Sequence, residues 1–332
     1  MLRTWLTILT VMVLLGGCAG AEGSFSSASY DRALAVVDGE VFCAGLNAGL
    51  GFIPIYRIGS DGLEDVCARI GGWQNLYAMD DKLLTVEPVL NIGEMLGSIP
   101  TSTYKAKLLD PATKKSSDFA EYVWNTGNGV CNIFAAQNKA YRDVCSGDQH
   151  TLERLDGDEW VVVAAWKGDK AWTYESYCII GDRHADRPEY VALYEFATGK
   201  IYNVTDLLRG RQRWFMMAGV LEDGVFYRLE LDGLTAIHLD NGRTEMLVPL
   251  PDGMDAFILT DEELILMSHQ HQQAWVLDRE GWEIVRQAKM TGYPQNAALS
   301  GGKLYVYSVY GDDAGVEVID LTCGKGAWYS LK

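Results

Sequence analysis

Short runs of β-forming residues alternate with tight turns along most of this chain. The end of the chain shows the pattern best, because residues 296–300, 303–310, 315–321 and 327–331 each have the apolar pattern of a short strand. Half-buried strands alternate apolar and polar residues, whereas helices repeat every 3.6 residues. No long segment shows the helical repeat, so the pattern predicts an all-β protein.

One kind of turn recurs at a regular spacing. Its seven instances are Asp61-Gly62, Pro111-Ala112, Asp156-Gly157, Thr198-Gly199, Asn241-Gly242, Glu280-Gly281 and Cys323-Gly324. The steps between them are 50, 45, 42, 43, 39 and 43 residues. Asn-Gly and Asp-Gly favour two-residue hairpin loops, because both central residues need a positive φ. A period of about 40–45 residues is typical of a four-stranded propeller blade.

A second set of turns runs in phase with the first and leads into strands. Its members lie at Asp38-Gly39, Asp80-Asp81, Asp223-Gly224, Asp261-Glu262 and Gly301-Gly302. Together the two sets predict a seven-bladed β-propeller over residues 31–332, with four antiparallel strands per blade. Six or eight blades remain open because residues 123–208 are irregular, and a pair of β-sandwich domains is the alternative architecture.

The first residues have the form of an export signal. Arg3 precedes an apolar run, which is followed by Leu15-Gly16-Gly17-Cys18. This resembles a bacterial lipoprotein signal, whose lipobox places an aliphatic and two small residues before a cysteine. The resemblance implies removal of residues 1–17, lipid on Cys18, a flexible tether over 18–30, and an extracytoplasmic protein anchored to the bacterial cell membrane. An ordinary secretory signal is the alternative, and about 13 apolar residues are too few for the roughly 20 of a spanning helix.

Two turn segments carry a second resemblance. They are residues 195–200, Glu-Phe-Ala-Thr-Gly-Lys, and residues 320–328, Asp-Leu-Thr-Cys-Gly-Lys-Gly-Ala-Trp. Both are similar to the PQQ-type propeller repeat, which reads roughly Ala-x-Asp-x-x-Thr-Gly-Lys-x-x-Trp. The resemblance covers about a third of the chain and departs from the pattern at Asn203, which stands where the repeat has tryptophan. It implies a propeller but not a bound quinone, so no cofactor is expected.

Charge and cysteine content narrow the possible partners. The chain has 45 acidic and 28 basic residues and a net charge of −17, which does not suit binding to nucleic acid phosphates. Six cysteines follow Cys18, and an exported chain can oxidise them. They allow 15 pairings, among which Cys131 with Cys145 is the best candidate. Buried thiols are the other interpretation.

Arginine-rich loops are the strongest candidate binding elements. On the predicted blade map, residues 182–187 and 209–214 lie on one face, which carries the loops between second and third strands and between blades. Arginine forks suit carboxylate, phosphate or sulfate groups, and an aromatic ring offers a stacking surface. Pairing of these arginines with neighbouring acids is the alternative. The candidates are Arg183, His184, Arg187, Arg209, Arg211, Arg213 and Trp214, and Trp73, Trp124 and Tyr293 map to other loops between blades.

His269 and His271 are the remaining candidates for binding. They flank Gln270 at a predicted strand end, where a period of two places both imidazoles on one face. Such a pair could bind a metal with a third ligand, or could simply face solvent, and no metal site is assigned. No familiar nucleophile, phosphate-loop or dinucleotide motif is present in the sequence.

These features favour a non-catalytic binding or scaffold protein. Its partner would be a protein or cell-surface polymer bound at the loop-bearing face, where aromatics and arginines match the composition of interface hot spots. The alternatives are a propeller enzyme, of carbohydrate lyase, hydrolase or lactonase type, and a sensor of small anionic ligands.

Overall fold

The described residues form seven separate sheets, each built on four consecutive antiparallel strands, and one of these sheets has a fifth strand. The structure is a computed structural model that describes residues 23–27, 32–46, 52–70, 75–89, 103–123, 127–182, 189–208, 219–310 and 313–331. Neighbouring sheets pack face to face, and the last packs against the first, so the sheets close into a ring. The predicted seven-bladed β-propeller is confirmed.

The strands follow one another blade by blade. Blade 1 contains β2 to β5, blade 2 contains β6 to β9, and so on to blade 7 with β26 to β29. The bounds are β1 Ser24–Ser27; β2 Leu34–Val37, β3 Glu40–Ala44, β4 Phe52–Ile58, β5 Leu63–Ile70; β6 Leu76–Met79, β7 Lys82–Pro88, β8 Thr103–Asp110, β9 Lys115–Val123; β10 Asn128–Ala136, β11 Lys139–Ser146, β12 Gln149–Asp156, β13 Glu159–Lys167; β14 Asp169–Thr173, β15 Tyr177–Gly181, β16 Val191–Glu195, β17 Ile201–Asn203; β18 Gly219–Glu222, β19 Val225–Glu230, β20 Gly233–His238, β21 Thr244–Pro249; β22 Ala256–Leu259, β23 Glu263–Ser268, β24 Gln273–Asp278, β25 Ile284–Lys289; β26 Asn296–Ser300, β27 Lys303–Tyr310, β28 Asp313–Asp320, β29 Lys325–Ser330.

The first strand of each blade lines the axis and the fourth forms the outer edge. Strands β2, β22 and β26 are buried along their whole length, whereas β25 and β29 are mostly exposed. Apolar side chains from adjacent blades form the core between the sheets. A helical turn, α1 Thr205–Leu208, follows β17. Within the described residues, no helix is long and apolar enough to cross a membrane.

The two sets of turns define one face of the ring. Turns between first and second strands and between third and fourth strands lie together on what we call the turn face. All seven predicted third-to-fourth turns occur there, and Gly157, Gly199, Gly242 and Gly324 have φ values of 63°, 71°, 72° and 69°. The opposite face, the loop face, carries the second-to-third loops and the connections between blades.

Ring closure depends on packing, because among the described strands none from one end of the chain completes the sheet at the other. Blade 1 meets blade 7 through an apolar cluster that includes Leu34, Val41, Tyr307 and Val316. The Leu34 amide also donates to Asn296 Oδ1 at 2.9 Å. Burial of apolar side chains between blades 1 and 7 therefore holds the ring closed, in place of a strand shared between the two ends of the chain.

Strand β1 lies in the axial channel as a fifth strand of blade 6. It pairs antiparallel with β22, so that Ser24 lies opposite Leu259 and Ser27 opposite Ala256. Because β22 runs from the loop face to the turn face, β1 runs the other way, and Gly23 lies at the turn face. A Cβ on Gly23 would lie 2.4 Å from the Leu259 carbonyl oxygen. Residues 24–27, which the sequence analysis placed in the tether, are thus a strand, because their backbone pairs with the open inner edge of β22.

Candidate binding face

Aromatic and histidine side chains of blades 6 and 7 form a contiguous group on the loop face. His269 contacts Tyr293 with ring centroids 5.9 Å apart, and His271 contacts Trp275 at 5.8 Å. Trp328 lies beside Gly292 and has 40% of its surface exposed. We call His269, His271, Trp275, Tyr293 and Trp328 the loop-face cluster. Partly exposed aromatic rings of this kind are typical of interface hot spots.

Two glycines let Trp328 lie flat against the blade. A Cβ on Gly315 would lie 2.4 Å from the indole, and a Cβ on Gly292 would lie 3.2 Å from it. Glu317 fixes the neighbouring loop, because its Oε2 accepts hydrogen bonds from the amides of Thr291 at 2.8 Å and Gly292 at 2.9 Å. The loop that presents Tyr293 is therefore held by a buried carboxylate.

The sequence predicted that His269 and His271 share one face of a strand, and this prediction is wrong. Both lie in the turn after β23, where the Gln272 amide donates to the His269 carbonyl at 3.1 Å and Gln272 has a φ of 53°. His269 Nδ1 donates to the Thr291 carbonyl at 3.2 Å, and His271 Nε2 donates to the Asp252 carbonyl at 2.8 Å. The period of two does not hold in a turn, so the imidazoles point to different loops.

The other candidate residues lie outside the described part of the chain. They are the lipidation candidate, the candidates of the two arginine-rich loops and two tryptophans of other loops between blades. The residues are Cys18, Arg183, His184, Arg187, Arg209, Arg211, Arg213, Trp214, Trp73 and Trp124. Tyr293 is described, and it occupies the predicted connection between blades 6 and 7.

The axial channel contains an arginine and a carboxylate around a cavity of about 160 Å³. The Arg32 guanidinium donates through Nη1 to the Ala135 carbonyl at 3.2 Å and lies 5.3 Å from the centre of the Tyr77 ring. Glu175 accepts a hydrogen bond from the Phe25 amide at 2.7 Å. Glu175 borders the cavity. Burial raises the pKa of its carboxyl group, and this effect is larger than the opposing effects of the Arg32 charge and of the hydrogen bond from the Phe25 amide. The hydrogen bond from Phe25 to Glu175 thus joins β1 to blade 4, and burying the charged carboxylate reduces the stability of the folded protein.

Replacing Glu175 with glutamine should stabilise the protein at neutral pH. Since the folded state holds the Glu175 proton more tightly than the unfolded state, stability is greatest below the unfolded pKa and falls as the pH rises through the folded pKa. Glutamine can still accept the Phe25 hydrogen bond and carries no charge. We expect a Tm increase of a few degrees, roughly 1–3 °C, near pH 7 that disappears near pH 4.

Exposed Glu262 supplies the matched control, since it lies on the turn face near the same channel mouth. Glu262→Gln should leave the pH dependence of the Tm as it is in the wild type. A Glu175→Gln variant with the wild-type Tm at every pH would contradict the prediction.

A second group of polar side chains is buried within blade 3. His150 Nδ1 donates to Asp143 Oδ1 at 2.8 Å, and Asp143 Oδ2 accepts from the Ala171 amide of blade 4 at 2.8 Å. The Cys131 thiol donates to the Asp143 carbonyl at 3.3 Å, and Trp166 stacks on His150 at 5.3 Å. Sequence reasoning missed this group, because a β-bulge at Cys131 and the pairing of Cys145 with His150 bring its members together.

The cysteines in the described residues are all thiols. Cys43, Cys131, Cys145 and Cys178 are buried, and Cys323 is exposed on the turn face. Burial raises the pKa of Cys43 to about 12. The predicted pair Cys131 and Cys145 is not joined in the structure.

Comparisons with known proteins show no family for this chain. No model of a known protein family and no curated protein matches the chain. Among solved structures, Sqt1 of Saccharomyces cerevisiae is 8% identical, with 94% of this chain and 86% of that chain covered and a TM-score of 0.45. A candidate 6-phosphogluconolactonase of Bacteroides uniformis is 13% identical, with 93% and 95% covered and a TM-score of 0.44. A shared activity does not follow at these values.

Proposed function

We propose that this protein is a lipid-anchored, extracytoplasmic propeller that binds a protein or a cell-surface polymer at its loop face without catalysis. The observation that carries the proposal is the position of β1. The chain's own segment occupies the axial channel and is paired with β22. Side chains on the loop face, rather than an open axial pocket, are then the surface offered to a partner.

The direction of β1 supports presentation of the loop face away from the membrane. Gly23 lies at the turn face, and it is five steps along the chain from Cys18, with four residues between them. An extended chain spans at most about 3.6 Å per residue, so the tether reaches about 18 Å from the channel mouth. With lipid on Cys18, the turn face is on the membrane side and the loop-face cluster is on the far side.

The composition of the loop face supports binding rather than simple solvation. Leu231, in the second-to-third loop of blade 5, is 86% exposed. The loop-face cluster adds three partly exposed aromatic side chains in neighbouring blades. Aromatic anchors surrounded by polar groups account for most of the affinity of many protein interfaces. The arginine-rich loops of residues 182–187 and 209–214 supply a further set of donors for an anionic partner in this proposal.

Double replacement of Trp275 and Tyr293 by alanine should weaken partner binding by at least about 30-fold, which corresponds to the loss of about 2 kcal/mol typical of a hot spot. The full lipidated chain is placed in nanodiscs and cross-linked to envelope extract, and the captured partner is identified and titrated against the purified chain. The readout is the Kd of wild type and variant for that partner.

Trp160→Ala is the matched control, because Trp160 is a partly exposed tryptophan near the turn face. Its indole lies under the Arg142 guanidinium at 4.4 Å, away from the loop-face cluster. This variant should retain the wild-type Kd. Equal loss of affinity in the control, or unchanged affinity in the double variant, would argue against binding at the loop face.

A further inference from the structure

The buried group in blade 3 has the donors and the spacing of a metal site. One ligand atom from each of Cys131, Asp143 and His150 lies within 4.8 Å of the others. Ligands at about 2.0–2.3 Å from a tetrahedral zinc ion lie about 3.2–3.8 Å apart, so adjustments of about 1 Å would suffice. All three residues are buried.

We propose that blade 3 binds a zinc ion through Cys131, Asp143 and His150. A thiolate, imidazole and carboxylate set suits borderline-soft Zn²⁺ better than Ca²⁺ or Mg²⁺, which prefer oxygen ligands alone. The three residues are buried and lie on β10, β11 and β12, so an ion bound by them would hold these strands together.

The surroundings already contain the supports that such a site needs. The Ala171 amide donates to Asp143 Oδ2 and fixes this carboxylate from the neighbouring blade. Trp166 stacks on the His150 ring and fixes its plane. Partners of this kind orient metal ligands and raise their affinity. The site would therefore couple blade 3 to blade 4 as well as joining strands within one sheet.

Zinc binds the thiolate, so the proton of the Cys131 thiol is released to solvent when the ion binds, while His150 binds as neutral imidazole and Asp143 as carboxylate.

The test uses the full chain purified in detergent with a reductant, stripped of metal and titrated with Zn²⁺ or Co²⁺. We expect about one equivalent bound per chain, and with Co²⁺ a thiolate-to-metal charge-transfer band. Cys131→Ser and His150→Gln should each weaken zinc binding by about 100-fold or more. Cys43→Ser is the control, since Cys43 is a buried thiol of blade 1 with no such neighbours and should keep the wild-type affinity.

Removal of zinc by a chelator should lower the Tm of the loaded wild-type chain, and it should leave the Tm of Cys131→Ser unchanged. This measurement decides the question even where a variant folds poorly. Equal zinc affinity in Cys131→Ser and Cys43→Ser would overturn the proposal. A metal-free native chain in which Cys131 and Cys145 are joined as a disulfide would overturn it as well, because the thiolate ligand would then be absent.

Discussion

Replacing Tyr307 by alanine should destabilise the protein by about 3–5 kcal/mol and lower its Tm by roughly 10 °C. Tyr307 is 1% exposed and belongs to the apolar cluster between blades 7 and 1. Apolar packing is the main contact that closes the ring between blades 7 and 1, so a cavity at this interface weakens the junction at which the ring closes. Chemical denaturation followed by tryptophan fluorescence measures the change.

Leu231→Ala is the control for this prediction, because it also removes a large apolar side chain but one that is 86% exposed. Its effect on the free energy of unfolding should stay within about 0.5 kcal/mol. A Tyr307→Ala variant that is as stable as Leu231→Ala would mean that the closing interface contributes little and that the ring is held in another way.

The fold could be predicted from the sequence because it repeats a local signal. In several blades the third-to-fourth turn has a residue of positive φ four positions after the last residue of the third strand, and Gly199 and Gly324 are examples. In blade 6 the position is held by Trp282, with a φ of 57°, rather than by Gly281. The predicted turn is therefore correct in place and one residue off in detail. Repetition over seven blades makes such local differences unimportant.

The sites were less predictable because they depend on contacts between distant segments. β1 pairs with β22, more than 200 residues further along the chain, through backbone groups that carry no sequence signal. Cys131, Asp143 and His150 meet through strand register and a β-bulge. His269 and His271 were predicted by strand periodicity, which stops at Ser268, where β23 ends. A turn depends on a few neighbouring residues and can be predicted from them. Strand register and the position of β1 in the channel depend on residues far apart in the sequence.

A fluorophore on the turn face should lie closer to the membrane than one on the loop face. Cys323 is exposed on the turn face and can be labelled directly, and Leu231→Cys supplies a loop-face label in a Cys323→Ser background. Cys67→Ser in both removes a partly exposed thiol. The faces are about 20 Å apart, since blade strands of about six residues rise about 3.3 Å per residue. Energy transfer to acceptor lipids, which falls steeply with distance, should be much stronger from Cys323 than from residue 231.

Cys18→Ala is the control, and it should move the protein from the membrane to the soluble fraction and abolish transfer from both labels. Stronger transfer from residue 231 would reverse the proposed orientation, and membrane retention of Cys18→Ala would show that the anchor is not on this cysteine.

Varying the ionic strength gives a second test in the same experiment, because the turn face is acidic. Exposed Asp61, Asp80, Asp158, Asp240 and Glu280 all lie on it. Anionic lipid repels these carboxylates over a Debye length of about 8 Å at physiological ionic strength. A tether of about 18 Å is long enough for the turn face to lie at that distance from the membrane surface. Raising the ionic strength toward 1 M shortens the screening length to about 3 Å. Transfer from Cys323 should then increase on anionic vesicles and stay constant on neutral ones, since only the former carry the charge that holds the turn face away.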